Sequence, residues 1–247
     1  MKTQGMLLAI ALFAGAAHAQ DVTGTIIVKK RLTKRNVTAP VSIYQRGAVV
    51  SLGKDSGQAP LAYELAHVVV YLEGTPLAEN AGAMPAKLPA FSMEQVDRGF
   101  SPDILVVPAG ATVSFPNMDP IFHNVFSLSK PKSFDLGSYD KGQTRTVAFP
   151  KPGLVYVYCR LHPNMQATIV VTPNRWYARP DPSGQYHIAD VPPGKYTLVA
   201  WHKAAGYFRK QIVVEPGHGA SADFFIPIDV DDKSLAQAGP MDMPEGR

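Results

Sequence analysis

One short segment of the chain combines three kinds of side chain that bind transition metals. Residues 159–165 read CRLHPNM, so a thiol (Cys159), an imidazole (His162) and a thioether (Met165) follow one another at intervals of three residues. Thiolate and thioether ligands suit Cu(I), and imidazole suits several transition metals. The spacing predicts a loop in which these three side chains bind one metal ion.

Cys159 is the only cysteine in the 247 residues, so it forms no disulfide within the chain. In an oxidising compartment a lone thiol is prone to oxidation unless it is buried, bonded to another chain or held by a metal. Taken singly, Cys159 and Met165 also fit a packed core, and a histidine fits a hydrogen-bonded position at a strand end. Their close spacing favours the metal.

The residues before the cysteine predict how its side chain is directed. In the apolar run 154–158, Val155 and Val157 alternate with tyrosines, so a strand here places Cys159 on the same inward face as the valines. His123 begins another apolar run 36 residues upstream. If the two strands meet, His123 completes a trigonal His₂Cys set with a weak axial methionine, the arrangement of blue-copper electron-transfer sites. Zinc more often takes a set without the thioether.

Turn residues and short β-branched runs predict an all-β chain. The 22 prolines and 20 glycines are spread along it, and short apolar runs recur between them. The predicted strands are 24–28, 67–72, 104–107, 112–115, 144–149, 154–158, 168–171, 185–188, 195–201, 210–214 and 222–226. This spacing favours two β-sandwiches in succession.

The expected domain organisation follows from these runs and from composition. We expect a signal peptide at 1–19, an N-terminal β segment at 20–60, a first sandwich with the metal site at 61–172, a smaller sandwich at 173–230 and a disordered tail at 231–247. The Ala-, Pro- and Gly-rich stretch 75–92 is expected to be a long loop or one short helix.

The N-terminus predicts export to the periplasm. Lys2 precedes an apolar run from Met6 to Ala17, and a small-x-small cleavage pattern ends at Ala19. The run is too short for a stable membrane span, although an uncleaved anchor is the alternative. Removal of 19 of 247 residues leaves 228, enough for two cores. The formal net charge of +4 is mostly dispersed among acidic residues, which argues against nucleic acid as a partner.

At this point the chain resembles the cupredoxin family of blue (type 1) copper proteins, which includes plastocyanin, pseudoazurin and amicyanin. The firm part of the likeness runs from about residue 100 to 171 and includes residues 106–119, VVPAGATVSFPNMD. It implies a Greek-key β-sandwich and one type 1 copper per chain. The copper would be held by His123, Cys159 and His162, with Met165 as the axial ligand, in a short loop most similar to that of amicyanin.

The resemblance also implies a role and a surface. The role is carrying single electrons between larger redox proteins, such as a c-type cytochrome and a dehydrogenase. Leu161 and Pro163, beside the edge of His162, form the expected docking surface. Asn124 resembles the family residue that ties the two ligand loops together. Glu94 leaves open whether a carboxylate approaches the copper, as in red copper relatives.

Beyond residue 172 the chain resembles a second family. Residues 181–196, DPSGQYHIADVPPGKY, are similar to the transthyretin-like sandwich found as the regulatory domain of carboxypeptidases, which implies a structural or docking role. The whole arrangement is similar to exported cupredoxin-like proteins associated with methylamine utilisation. His187, His202 and His218 lack metal-like spacing, so we expect them to be surface or hydrogen-bonded residues.

Three other functions compete with an electron carrier. A periplasmic copper-binding protein for delivery or tolerance needs an exchangeable site, and Met241 with Met243 favours it weakly. An enzyme needs an open coordination position, which a four-ligand set would fill, so we expect no catalysis. A docking protein without a metal would have no use for the complete ligand set.

Overall fold

The computed structural model describes residues 19–30, 32, 60–76 and 88–227. The predicted signal peptide up to residue 18, Met241, Met243 and the tail from residue 231 lie outside the described residues. So do residues 33–59 and 77–87, which make up most of the expected N-terminal segment and of the 75–92 stretch. None of the helical residues in the described ranges forms a segment long and apolar enough to cross a lipid bilayer.

The described residues are almost entirely β-structure, as the sequence predicted. One helix, α1, covers Pro60–Leu65. The strands are β1 (Gln20–Val28), β2 (Val68–Pro76), β3 (Phe91–Ser92), β4 (Glu94–Val96), β5 (Gly99–Ser101), β6 (Ile104–Pro108), β7 (Ala111–Pro116), β8 (His123–Ser129), β9 (Lys132–Tyr139), β10 (Thr144–Phe149), β11 (Gly153–Tyr158), β12 (Gln166–Thr172), β13 (Tyr177–Ala178), β14 (Gln185–Val191), β15 (Gly194–His202), β16 (Gly206–Val214), β17 (Ala220–Ser221) and β18 (Phe224–Ile226).

The first sandwich is built from the strands between residues 91 and 172. Its larger sheet has the order β6-β12-β11-β8-β9, and its smaller sheet has the order β10-β7-β3. Both sheets contribute to one apolar core, which includes Phe115, Val125 and Phe149. Val155 and Val157 are fully buried in that core, whereas Tyr156 between them is 43% exposed, so the predicted alternation is confirmed.

The second sandwich is built from strands that precede the first sandwich in the chain and strands that follow it. Its sheets have the orders β13-β2-β15-β16 and β14-β1-β17, and β18 pairs with β1 in parallel. Its core combines Val22 and Val70 from the N-terminal strands with Ile188 and Leu198 from the C-terminal strands. The apolar side chains of β1 and one face of β2 therefore pack in a core shared with residues that follow position 172.

This pairing corrects the expected placement of two segments. The predicted strand 67–72 is expected in the first sandwich, yet the strand found there, β2, pairs along its whole length with β15, from Val68↔His202 to Pro76↔Gly194. Likewise β1, expected in a separate 20–60 segment, pairs with β14. A single cut between residues 172 and 173 does not separate the two sandwiches, because strands from both ends of the chain share one core.

A third apolar cluster joins the two sandwiches. It includes Val69, Val170 and Trp201, all of which are buried. Consecutive residues of β2 contribute to different clusters: Val68 and Val70 face the core of the second sandwich, and Val69 faces the junction. A strand buried on both faces reads as a continuous apolar run, as β2 does. The two sandwiches thus pack sheet against sheet.

One long strand of the first sandwich was not predicted. Residues 132–139 (β9) read KSFDLGSY and contain serine, aspartate and glycine, which strands usually disfavour. They are ordered as an edge strand by pairing with β8, from Ser129↔Lys132 to His123↔Tyr139. Long-range pairing overrides local propensity here.

Candidate metal centre

The ends of two neighbouring strands bring the predicted donors together. His123 is the first residue of β8, and Cys159 directly follows β11. These strands are antiparallel neighbours with Tyr158 opposite Phe126, so the start of one lies beside the end of the other. His162 lies in the short connection from β11 to β12.

The distances between the three donors suit a single ion. Cys159 Sγ lies 3.9 Å from His123 Nδ1 and 3.7 Å from His162 Nδ1. All three donor atoms lie within 4.8 Å of one another. Metal–nitrogen and metal–sulfur bonds of about 2.0 and 2.3 Å, spread in a trigonal plane, put nitrogen and sulfur about 3.7 Å apart. The residues therefore fit the copper that the resemblance implies.

Met165 closes the same loop. Its backbone amide donates to the His162 carbonyl at 2.9 Å, and its carbonyl accepts from the Cys159 amide at 3.2 Å. The Met165 side chain is 1% exposed and belongs to the same apolar core as Cys159. The methionine is thus held beside the cysteine, and its role as axial ligand stays a prediction.

The site is buried on one side and approachable on the other. His123 is fully buried and Cys159 is 5% exposed, whereas His162 is partly exposed. The residues just before the two histidines are exposed apolar side chains: Leu161 (54% exposed) precedes His162, and Phe122 (56% exposed) precedes His123. The protein therefore shields the thiol and leaves one imidazole at an apolar surface.

Asp119 holds the far side of the His123 ring. Its Oδ2 lies 2.7 Å from His123 Nε2, and its two oxygens also accept the backbone amides of Asp97 and Arg98. Burial alone would raise the pKa of Asp119, but these hydrogen bonds outweigh it and hold the pKa below its usual range. An ionised carboxylate only accepts, so Nε2 of His123 carries the proton and the lone pair of Nδ1 faces the thiol.

Asn124, next to His123, is linked through Asp135 to Arg160, next to Cys159. Its Nδ2 donates to Asp135 Oδ1 at 2.7 Å, and Asp135 Oδ2 accepts from Arg160 at 2.8 Å. The Gly137 amide, Asn124 and Arg160 lower the pKa of Asp135 to about 2. Asn124 follows His123 in sequence and Arg160 follows Cys159, so the expected tie between the two segments runs through a carboxylate on β9.

Glu94, the carboxylate that the sequence left as a possible neighbour of the copper, does not belong to the donor cluster. Glu94 is exposed, whereas Gln95 points inward and is fully buried. Gln95 Nε2 donates to Tyr139 Oη at 2.6 Å, and burial raises the pKa of Tyr139 to about 12. Among the described residues, the only cluster of three or more potential metal ligands is His123, Cys159 and His162, with no carboxylate in it.

The other histidines lie outside the donor cluster, and His187, His202 and His218 are surface or hydrogen-bonded residues as predicted. His187 Nε2 lies 2.8 Å from Asp21, and His202 Nε2 lies 3.1 Å from Glu64. His67 Nε2 lies 3.0 Å from Asp103. His218 is exposed beside the Pro216 carbonyl.

Sequence reasoning missed two carboxylates that contact His123 or Asn124. Asp119 stands four residues before His123, a spacing that could have suggested a carboxylate partner for the ring. Asp135 carried no such signal, because only the pairing of β9 with β8 brings it to Asn124.

Comparisons with known proteins give short, weak likenesses. No protein-family model matches the chain, and neither does any curated protein. Among solved structures it is similar to a purple cupredoxin from Nitrosopumilus maritimus, with 23% identity over 33% of this chain and 99% of that one, at a TM-score of 0.31. A reduced variant of amicyanin shows 22% identity over 41% of this chain and 97% of that one, at 0.32. A copper-containing nitrite reductase from Thermus scotoductus shows 27% identity over 39% of this chain and 25% of that one, at 0.33. Scores this low leave the function to be inferred from the site's own residues.

Proposed function

We propose that this protein is a cupredoxin-type carrier of single electrons. One type 1 copper is held by His123, Cys159 and His162, with Met165 as axial ligand. The observation that carries the proposal is the convergence of two Nδ1 atoms on one buried thiol, at 3.7 and 3.9 Å.

The chain's own residues prepare this site for electron transfer. Copper bound there supplies a Cu(I)/Cu(II) couple whose two states share one set of ligands. Asp119 fixes the His123 ring, and the backbone hydrogen bonds between Met165, His162 and Cys159 fix the loop. Ligands held in this way move little when the charge of the ion changes. The sandwich core also keeps water and oxidants away from the Cys159 thiolate.

The burial of the donors favours a carrier over the competing functions. A delivery protein has to release its ion, yet Cys159, His123 and Met165 are at most 5% exposed. An enzyme needs an open ligand position, which the four donors would occupy. Electron transfer needs only that one ligand edge reach the surface, and the partly exposed His162 provides that edge.

The docking surface and the partner belong to the same proposal. Leu161 and Phe122, with Met118 at 50% exposure, are large apolar side chains in the segments that carry the ligands. Such a patch suits brief contact with the apolar rim of a redox protein, such as a c-type cytochrome or a dehydrogenase. The N-terminal pattern supports the periplasm as the compartment of this exchange. The second sandwich, with its transthyretin-like sequence, would act as a rigid docking module.

The test is visible absorption and electron paramagnetic resonance of the Cu(II)-loaded protein. We expect an intense thiolate-to-copper band that reductant bleaches and oxidant restores. Cys159→Ser should lose the band while keeping the fold, since the change is small. His218→Gln, at an exposed histidine outside the site, is the matched control and should behave like the unchanged protein.

Two outcomes would contradict the proposal. If the unchanged protein shows no such band, the metal assignment is wrong. If the band forms but a chelator removes the copper within seconds, the site is exchangeable and copper delivery is the better function.

A further inference from the structure

The carboxylate of Asp119 lies between a tight hairpin turn and the buried ring of His123. We infer that Asp119 is a positioning residue, which fixes the His123 ring and sets how strongly the site prefers Cu(II) to Cu(I). This inference rests on the proposed function, because it concerns the same ion.

The hairpin turn is shaped to receive an anion. Val96 pairs with Gly99 across β4 and β5, so Asp97 and Arg98 are the two residues of the loop. Their φ angles are 53° and 57°, and positive values at both positions are the feature of a type I′ turn. The Asp97 amide donates to Oδ1 of Asp119 at 2.8 Å, and the Arg98 amide donates to Oδ2 at 2.9 Å. One backbone donor therefore holds each oxygen.

A second set of contacts fixes the segment that carries the carboxylate. The Asp119 amide donates to Asn117 Oδ1 at 3.0 Å. Asn117 Nδ2 donates in turn to the carbonyls of Ile121 and Tyr139, both at 2.9 Å. The fully buried Asn117 thus fixes both ends of the loop that leads to His123. Asp119 has little freedom to follow the ring if the ring moves.

The carboxylate and the ring form one charge-assisted pair. Oδ2 accepts from both the Arg98 amide and His123 Nε2, the latter at 2.7 Å. Such bonds are short and about twice as strong as neutral ones. Turning the His123 ring would cost this buried charge one of its three donors, so Nδ1 stays directed at the thiol. The fixed negative charge also makes the imidazole a better electron donor, which favours the more highly charged Cu(II).

The test compares copper affinities in Asp119→Asn and a control. Asparagine has almost the same shape and can still accept one hydrogen bond, but it carries no charge. Glu215→Gln, at an exposed carboxylate just after β16 in the second sandwich, makes the same change in net charge away from the His123 ring. Losing a residue that hydrogen-bonds to a ligand typically costs about 10–100-fold in metal affinity. We expect Asp119→Asn to lower Cu(II) affinity at least about tenfold with little change for Cu(I), which raises the reduction potential by about 59 mV per tenfold. The control should leave both affinities unchanged.

A readout on the metal-free protein isolates the positioning of the ring. In nitrogen-15 NMR, the Nε2 proton of His123 should exchange slowly with water in the unchanged protein and much faster in Asp119→Asn. If Asp119→Asn does not fold, Asp119→Glu replaces it: the longer side chain keeps the charge but does not fit the turn, so affinity for both ions should fall.

The outcomes separate this inference from the proposed function. No thiolate band in the unchanged protein would overturn both. A normal band, with Asp119→Asn matching the unchanged protein in affinity ratio and proton exchange, would overturn the role of Asp119 alone.

Discussion

The histidines of the two sandwiches use their ring nitrogens differently. In the first sandwich, His123 gives Nε2 to Asp119 and directs Nδ1 at the Cys159 thiol. At the second sandwich, His202 turns both nitrogens toward the fold: Nδ1 accepts the amides of Ala204 and Ala205 at 3.1 Å, and Nε2 lies 3.1 Å from a Glu64 carboxylate oxygen without the alignment of a hydrogen bond. Both rings are fully buried beside a carboxylate.

The difference shows that a buried carboxylate–histidine pair does not by itself identify a metal site. The two pairs differ in what contacts Nδ1, the ring nitrogen that does not face the carboxylate. The amides of Ala204 and Ala205 occupy the lone pair of His202 Nδ1, so that ring supports the fold. Among the described residues, the hydrogen-bonding contact of His123 Nδ1 is the weak one with the Cys159 thiol at 3.9 Å, so its lone pair is available for an ion.

Exchanging each histidine for alanine should give opposite results. His123→Ala removes a proposed ligand, so Cu(II) affinity should fall by more than about 100-fold, which is the upper loss typical of a residue that only hydrogen-bonds to a ligand. His202→Ala leaves a buried carboxylate and two amides without their ring partner, so unfolding should become easier by about 2–4 kcal/mol while the copper band persists. Chelator competition measures the first effect, and urea denaturation of the metal-free protein measures the second.

The comparison of His123 with His202 is tested only when both variants are measured. If His202→Ala abolished the copper band in a folded protein, the two regions would be coupled and the comparison would fail. His187→Ala, at an exposed histidine paired with Asp21, serves as the control and should change neither quantity.

The junction should make the two sandwiches unfold as one unit. Trp201 is 3% exposed and packs among Val69, Val170 and Val199 between the sheets. Trp201→Ala should cost about 3–5 kcal/mol, because buried aromatic side chains leave large cavities. We expect one transition in the unchanged protein and two separated transitions in the variant, with the copper band as the probe of the first sandwich. A single transition in both proteins would mean that the sandwiches remain coupled without Trp201.

The sequence identified the local part of the site. The residues of one loop, Cys159, His162 and Met165, could be grouped by spacing alone, and the alternation before Cys159 gave its direction. His123 could be proposed because it begins a strand-like run. These features depend on neighbours in sequence, which is why they were accessible.

The contacts between residues far apart in sequence could not be predicted from local patterns. The run at 68–72 is apolar at every position, so its pattern indicates burial but does not say which sheet covers it. The structure pairs it with β15, more than a hundred residues later. Asp135 became relevant only through the pairing of β9 with β8. The turn that holds Asp119 gave no local signal either, because the Asp97 amide reaches that carboxylate from 22 residues away in sequence.

The smallest effect we expect concerns His67 at the junction. Its Nδ1 donates to the Tyr63 carbonyl at 2.6 Å, and its Nε2 donates to Asp103, which also accepts from Lys203. Both ring nitrogens face acceptors, so the charged ring is favoured. Burial alone would lower the pKa of His67, but the bonds to Asp103 and Tyr63 outweigh it and raise the pKa, despite the nearby charge of Lys203.

A raised pKa in the folded state fixes the direction of the pH dependence. The stabilisation is fully present below the ordinary value of about 6.5 and is lost as pH rises through the raised value. It should amount to ~1 kcal/mol or less, because Asp103 is 46% exposed and water screens the pair. His67→Gln keeps a donor but does not titrate, so the difference in unfolding free energy between the two metal-free proteins should shrink between pH 6 and pH 8.5. A difference that stays constant across this range would show that folding leaves the pKa of His67 unchanged, and a difference that grows with pH would show that the fold lowers it.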